Sequence, residues 1–253
     1  MTNSNSFTSH FVELRSRLLK AIIFIFFIFI ISYIFAEQIY NFLVEPYANA
    51  VKDDDNSRRL IFTDLHETFI AYLKVAFFAA IFFGSPVLLI QIYKFIAPGL
   101  YKNEKKALLP YLIFTTILFL FGGLLVYYLI MPLAIKFFLS FESIGTNTSL
   151  PIQLEAKVNE YLSLIMRLIF AFGISFQLPI LLNLLAKIGV VNSTYLKKTR
   201  RYVIVIIFTA AAILTPPDPI TQIGLAIPLL LLYELSILTV KFTEKKDKVV
   251  EDA

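Results

Sequence analysis

The chain has no cysteine, which excludes disulfides, thiolate nucleophiles and cysteine-ligated metals. Histidine is scarce. His10 and His66 fall on opposite sides of the membrane in the arrangement read below and cannot share a metal, so no metal or other cofactor is expected. The sequence contains no Gly-x4-Gly-Lys-Ser/Thr loop and no HExxH, and no catalytic triad can be built from it. Work done by such a chain is not driven by its own nucleotide hydrolysis. The transmembrane potential, about 2.3 kcal/mol per charge per 100 mV, is the remaining nearby source. A cleavable signal is not expected either, because the first apolar run is too long for an h-region and no small-residue cleavage motif follows it.

What the chain does have is apolar length. Of its 253 residues 58% are hydrophobic and the mean hydropathy is +0.76, which leaves no room for a second soluble domain. Six apolar runs stand out at 17–36, 69–91, 109–131, 161–184, 202–215 and 220–240. Most reach the roughly 20 residues needed to cross a hydrocarbon core of about 30 Å. The basic residues crowd into every second gap: segments 1–20, 92–108, 184–201 and 241–253 hold 16 of the 23 Lys and Arg. Lys and Arg near membrane ends are retained in the cytoplasm, so both termini are expected there, and six spans agree in parity. The net charge of +5 is thereby a matter of topology. The basic groups flank apolar runs and form no separate patch, so no nucleic-acid partner is expected. The expected fold is all-α: a single six-helix transmembrane domain over 1–253, with a charged cytoplasmic tail at 243–253.

Ahead of the first run, Phe7, Phe11, Leu14 and Leu18 recur at helical spacing and predict a short amphipathic helix over 7–20. Glu13 and Arg17 on its polar flank stand in the favourable i,i+4 order. Two readings are open: these charges are simply solvated at the interface, or Glu13 receives a cation there. Long connections at 37–68 and 132–160 are expected to fold into a cap on the outer side, whereas Pro216-Pro217-Asp218-Pro219 forces a tight hairpin. The fifth run has 14 residues, about 21 Å of helix, and the sixth is interrupted by Pro228 and Glu234, so helices five and six are expected to be short. Pro86, Pro179 and Pro228 lie inside helices two, four and six. Such prolines bend helices and free a backbone carbonyl that a neighbour must satisfy, which predicts a bundle bent towards a concave face.

Polar groups within the runs are few. Lys74 and Arg167 stand one to two turns from the outer helix ends, close enough to snorkel. Gln177 lies near the middle of helix four and needs partners from another helix, a substrate or water. Glu234 lies in the inner half of helix six. From these groups alone a secondary transporter of a small solute, lined by Gln177, Lys74 and Arg167, remains open. Against it stand the lack of inverted repeats and of paired intramembrane charges. An intramembrane enzyme would need a nucleophile–base pair or a ligand cluster within the spans, and there is none.

Four motifs are more specific. His10-Phe-Val-Glu13-Leu14-Arg15-Ser-Arg17-Leu18, Phe95-Ile96-Ala97-Pro98-Gly99-Leu100-Tyr101-Lys102-Asn103-Glu104, Phe172-Gly173-Ile-Ser175-Phe176-Gln177-Leu-Pro179 and Leu214-Thr215-Pro216-Pro217-Asp218 occur in that order. Together they resemble the signatures of TatC, the multi-spanning receptor of the twin-arginine protein translocase, over about residues 9–243. The resemblance implies a non-enzymatic receptor in the bacterial cytoplasmic (inner) membrane. It would bind the paired-arginine signal peptides of folded cargo and assemble, in several copies, with the single-span proteins TatA and TatB for export driven by the proton-motive force. By motif, Glu13 and Glu104 become the carboxylates that receive the arginines, with Leu14, Arg17, Phe95 and Lys102 nearby. Pro46 matches a family proline in the first outer loop and Asp218 the acid of the last turn, and the helix five–six hairpin is where partners would dock. Gln177 departs from the pattern, since many members carry glutamate there. An amide can bind a helix but cannot titrate.

Overall fold

A computed structural model describes residues 4–52, 59–96, 105–143, 150, 152–187, 189–215 and 218–251. Among them the structure is all-helical, with two isolated β-bridges and no strand. In chain order the helices are α1 (Ser4–Ile34), α2 (Ala36–Val51), α3 (Glu67–Ile96), α4 (Lys105–Leu125), a π-helical segment (Val126–Ile130), α5 (Met131–Leu139), α6 (Val158–Ser175), α7 (Leu178–Lys187), α8 (Ser193–Leu214) and α9 (Pro219–Glu251). The amphipathic stretch expected at 7–20 is continuous with the first apolar run inside α1. The expected tail, for its part, continues α9 as far as Glu251.

Five helical stretches among the described residues are long and apolar enough to cross a bilayer: Arg15–Ile34, Glu67–Gln91, Tyr111–Leu139, Val158–Lys187 and Pro219–Glu244. The sequence predicts six. The difference is α8, whose first half carries Lys197, Lys198, Arg200 and Arg201 and leaves only the segment after them apolar. The expectation of a short sixth helix is corrected. Its candidate span has 26 residues, because α9 accommodates Pro228 internally and Glu234 pairs with a neighbouring helix instead of ending its own. Large apolar side chains such as Ile23, Phe27, Phe77, Phe121 and Leu231 are exposed on these helices. Water does not tolerate apolar faces on this scale, whereas lipid does.

The helices fall into two compact units, Met1–Tyr40 with Tyr72–Ile117, and Asn41–Ala71 with Leu118–Ala253. In the first unit α1 packs against α3. Phe29 meets Phe77 edge-on at 6.4 Å, and Gly84 lets Ile25 approach so closely that a Cβ there would stand 2.5 Å from Cγ1. In the second, the ends of α4 and α6 nearly touch. A Cβ on Gly122 would lie 2.9 Å from the Phe172 carbonyl group, so only hydrogen fits, as is common where membrane helices cross closely. The buried core of this unit is built from residues such as Leu162, Ile165 and Leu168 on α6 and Leu225, Ile237 and Val240 on α9.

Each proline has a local solution. Pro86 lacks the N–H that would bond the Phe82 carbonyl four residues back, and the Ser85 hydroxyl donates to that carbonyl at 2.7 Å. Pro179 breaks its helix outright. α6 stops at Ser175, Phe176 and Gln177 form a turn, and α7 starts afresh, with the Ile180 and Leu181 amides donating to the Gln177 carbonyl. Pro132 stands two residues past the π segment, after which the Met131 amide reaches back to the Val126 carbonyl. Wide turns of this kind absorb a misfit in the helical ladder.

Candidate functional site

The first group of candidate residues falls on the first unit. Glu13, Leu14 and Arg17 lie on α1 and Phe95 near the end of α3. The side chains of Glu13, Leu14 and Phe95, and Lys102 and Glu104 altogether, lie outside the described residues. Arg17 is half-buried, and its Nη1 stands 3.5 Å from Gln91 Oε1 on α3, at the outer limit of a hydrogen bond. The basic end of α1 and the last turns of α3 are therefore neighbours. Lys74, on α3 in the same unit, is half-buried.

The second unit holds the other candidates. Pro46 sits inside α2. The carbonyl it frees, that of Phe42, accepts a hydrogen bond from the Tyr127 hydroxyl at 2.8 Å. The same hydroxyl lies 3.1 Å from Glu45 Oε2, and its ring stacks on Phe42 with centroids 4.4 Å apart. Tyr161 of α6 likewise donates to the Leu43 carbonyl at 2.9 Å. Two tyrosines thus bolt α2 to the membrane helices.

Between α2 and α3 the chain is stitched to the start of α6. Ile61 bridges Lys157, and the nearly buried Glu67 carboxylate accepts from the Thr63, Asp64 and Asn159 amides. The first residue of α3 thereby serves a free N–H group in the first turn of α6 and two amides of the connection that precedes its own helix. Glu67 belongs to none of the motifs singled out in the sequence. An isolated acid heading an apolar run was the signal available, and its second partner, more than ninety residues on, could not be read.

Asp218 is buried and caps α9. Its Oδ1 accepts from the Thr221 amide at 2.7 Å, and its other oxygen accepts from the Thr221 hydroxyl. Pro219 occupies the first helical position, where its missing N–H costs nothing. Gln177 is buried in the turn between α6 and α7. The helix-four polar position is therefore a break in the helix, not a point along it. Glu234 is paired: Arg200 of α8 donates to it at 2.6 Å, with both side chains about half exposed.

Three polar links along α9 escaped the sequence reading. Asn183 of α7 donates to Thr239 Oγ1 at 2.7 Å. Glu244 accepts from the Ser193 amide at the start of α8, and the Tyr233 hydroxyl donates to the Leu196 carbonyl at 2.7 Å. Asn183 was a visible signal, an amide inside an apolar run. Glu244 was hidden among the charges of the expected tail.

An all-helical chain with five apolar spans, lipid-compatible outer faces and buried polar caps is a multi-pass membrane protein. Residues 9–228 match the family model described as Sec-independent protein translocase protein (TatC). The chain is 48% identical over 237 residues to the TatC protein of Magnetococcus marinus, covering 94% of this chain and 84% of that one. It is 46% identical over 239 residues to that of Rickettsia prowazekii, covering 94% of each. A crystal structure described as the twin-arginine translocase receptor TatC superposes with a TM-score of 0.77 at 37% identity, covering 91% of this chain and 99% of that one. The chain belongs to the TatC family, whose members are translocase components and not enzymes. Membership removes the solute-transporter reading.

Proposed function

We propose that this translocase subunit is the receptor for twin-arginine signal peptides of folded cargo in the bacterial cytoplasmic membrane. Six helices would cross, with both termini in the cytoplasm. α8 would be the short member, its apolar part matched by locally thinned bilayer at modest cost. Glu13 and Glu104 receive the paired guanidinium groups, flanked by Leu14, Arg17, Phe95 and Lys102. A guanidinium is a planar fork that a carboxylate meets with two parallel hydrogen bonds, whereas an ammonium is a point charge, so two acids on one face favour Arg-Arg over Lys-Lys. In an exposed setting each such pair contributes roughly 0.2–1 kcal/mol, and the signal's apolar segment supplies much of the rest.

The observation that carries this reading is the family match over residues 9–228, which includes the motifs of both acids. The approach of Arg17 to Gln91 supports it, because it brings the helix bearing Glu13 beside the helix that precedes the Glu104 motif in the chain. TatA- and TatB-type single-span proteins would dock on the α8–α9 hairpin, and export would draw on the proton-motive force.

The test is photocrosslinking of a twin-arginine signal peptide to the full chain in membranes. Glu13→Ala with Glu104→Ala is expected to lower the crosslink severalfold while membrane insertion is retained. Undiminished crosslinking in the inserted double variant would reject the two acids as the receptor site.

A further inference from the structure

A cavity of about 460 Å³ in the second unit lies against α6, and the receptor reading makes no use of it. Its floor is apolar, from Met131, Ala134 and Ile135 on α5 and Leu164 on α6. Its charged lining is balanced, with Arg167 and Lys157 against Glu155 and Glu160. On α6, Glu160, Ser163, Leu164 and Arg167 follow the i, i+3, i+4, i+7 spacing that places them on one face. Glu160 and Arg167 are both exposed at the surface of this unit. Seven residues of helix separate them, about 10 Å along the axis. Among the described residues, no hydrogen bond or ion pair engages the Arg167 side chain.

That column has the order of a phospholipid. An apolar trough takes an acyl chain, a guanidinium below the helix start takes a phosphate, and carboxylates above it take a cationic headgroup. An anionic lipid would set its charge against two carboxylates without compensating them. A choline head, lacking N–H donors, could not hydrogen-bond to them. Charge complementarity therefore selects a zwitterionic head with a hydrogen-bonding cation. We propose that this cavity binds one phospholipid carrying a primary ammonium, with its phosphate on Arg167 and its ammonium toward Glu160 and Glu155. The inference rests on α6 crossing the bilayer with its Lys157 end at the headgroups. In that setting Arg167 reaches out of the hydrocarbon toward a phosphate.

The experiment is native mass spectrometry of the full chain released from detergent, titrated with phosphatidylethanolamine, phosphatidylcholine and phosphatidylglycerol of identical acyl chains. A single ethanolamine lipid is expected to bind about tenfold more tightly than the glycerol lipid, the size of one charge-assisted hydrogen bond. Arg167→Gln should weaken all three lipids, and Arg167→Lys should restore part of the loss. Glu155→Gln with Glu160→Gln should erase the ethanolamine preference while leaving one lipid bound. Equal or tighter binding of the glycerol lipid by the unaltered chain would overturn the proposal. So would adducts indifferent to Arg167→Gln, or no adduct at all, an outcome that would leave the cavity to a protein segment. Signal-peptide crosslinking is a separate readout, so loss of the lipid site leaves the receptor reading standing.

Discussion

The Tyr127 hydroxyl donates to the Phe42 carbonyl at 2.8 Å, and Phe42 is the residue whose helical partner Pro46 removes. The proline in α2 is thereby matched to a phenol on the π segment, 85 positions after the residue whose carbonyl it frees.

This pairing makes a coupled prediction. Tyr127→Phe should destabilise the protein by about 1–3 kcal/mol, because a part-buried carbonyl loses its donor. In a Pro46→Ala background the alanine N–H can serve that carbonyl, and the same change should cost about 1 kcal/mol or less. Thermal unfolding of the four proteins in detergent measures the coupling. Equal costs in both backgrounds would show that Tyr127 does not act through the carbonyl freed by the proline.

The α9 cap can be tested more directly. Asp218→Ala should lower stability by about 0.5–2 kcal/mol, the cost of losing an N-cap, while Asp218→Asn should retain most of it because asparagine accepts the same Thr221 amide. If Asn is as damaging as Ala, the charge matters and the cap does not.

Close approach at Gly122 sets a third expectation. A methyl group there would meet backbone atoms of Phe172 at 2.9 Å and the Gly173 nitrogen at 3.0 Å, and backbone cannot rotate away as a side chain can. Gly122→Ala should cost about 1–3 kcal/mol by overpacking, read as a lowered unfolding midpoint at unchanged membrane insertion. An unshifted midpoint would mean that the two helices separate easily at this crossing.

Much of the candidate site was legible as sequence order and little of it as geometry. The motifs around Glu13, Glu104, Gln177 and Asp218 could be read because each is a short run of neighbours. The cap formed by Asp218 is likewise local, since its partner Thr221 stands three residues on. Glu234 was visible as an acid inside an apolar run, and only packing supplied Arg200 as its partner. The sixth helix was expected to be short because a proline and an acid interrupt its apolar run. It stays long because helix packing tolerates the one and neutralises the other.

The sequence by itself determined that this chain lives in a bilayer, which stretches of it are helical and apolar, and to which family it belongs. Each of these depends on runs of adjacent residues and on the solvent around them. Only the tertiary structure decided which hydroxyl answers which freed carbonyl, that helix four breaks at Phe176 and Gln177, and that Glu67 joins the starts of two helices. A polar group in an apolar surrounding must find a partner, but the chain between the two partners folds back over tens of residues. Their meeting is a property of packing, and no local pattern encodes it.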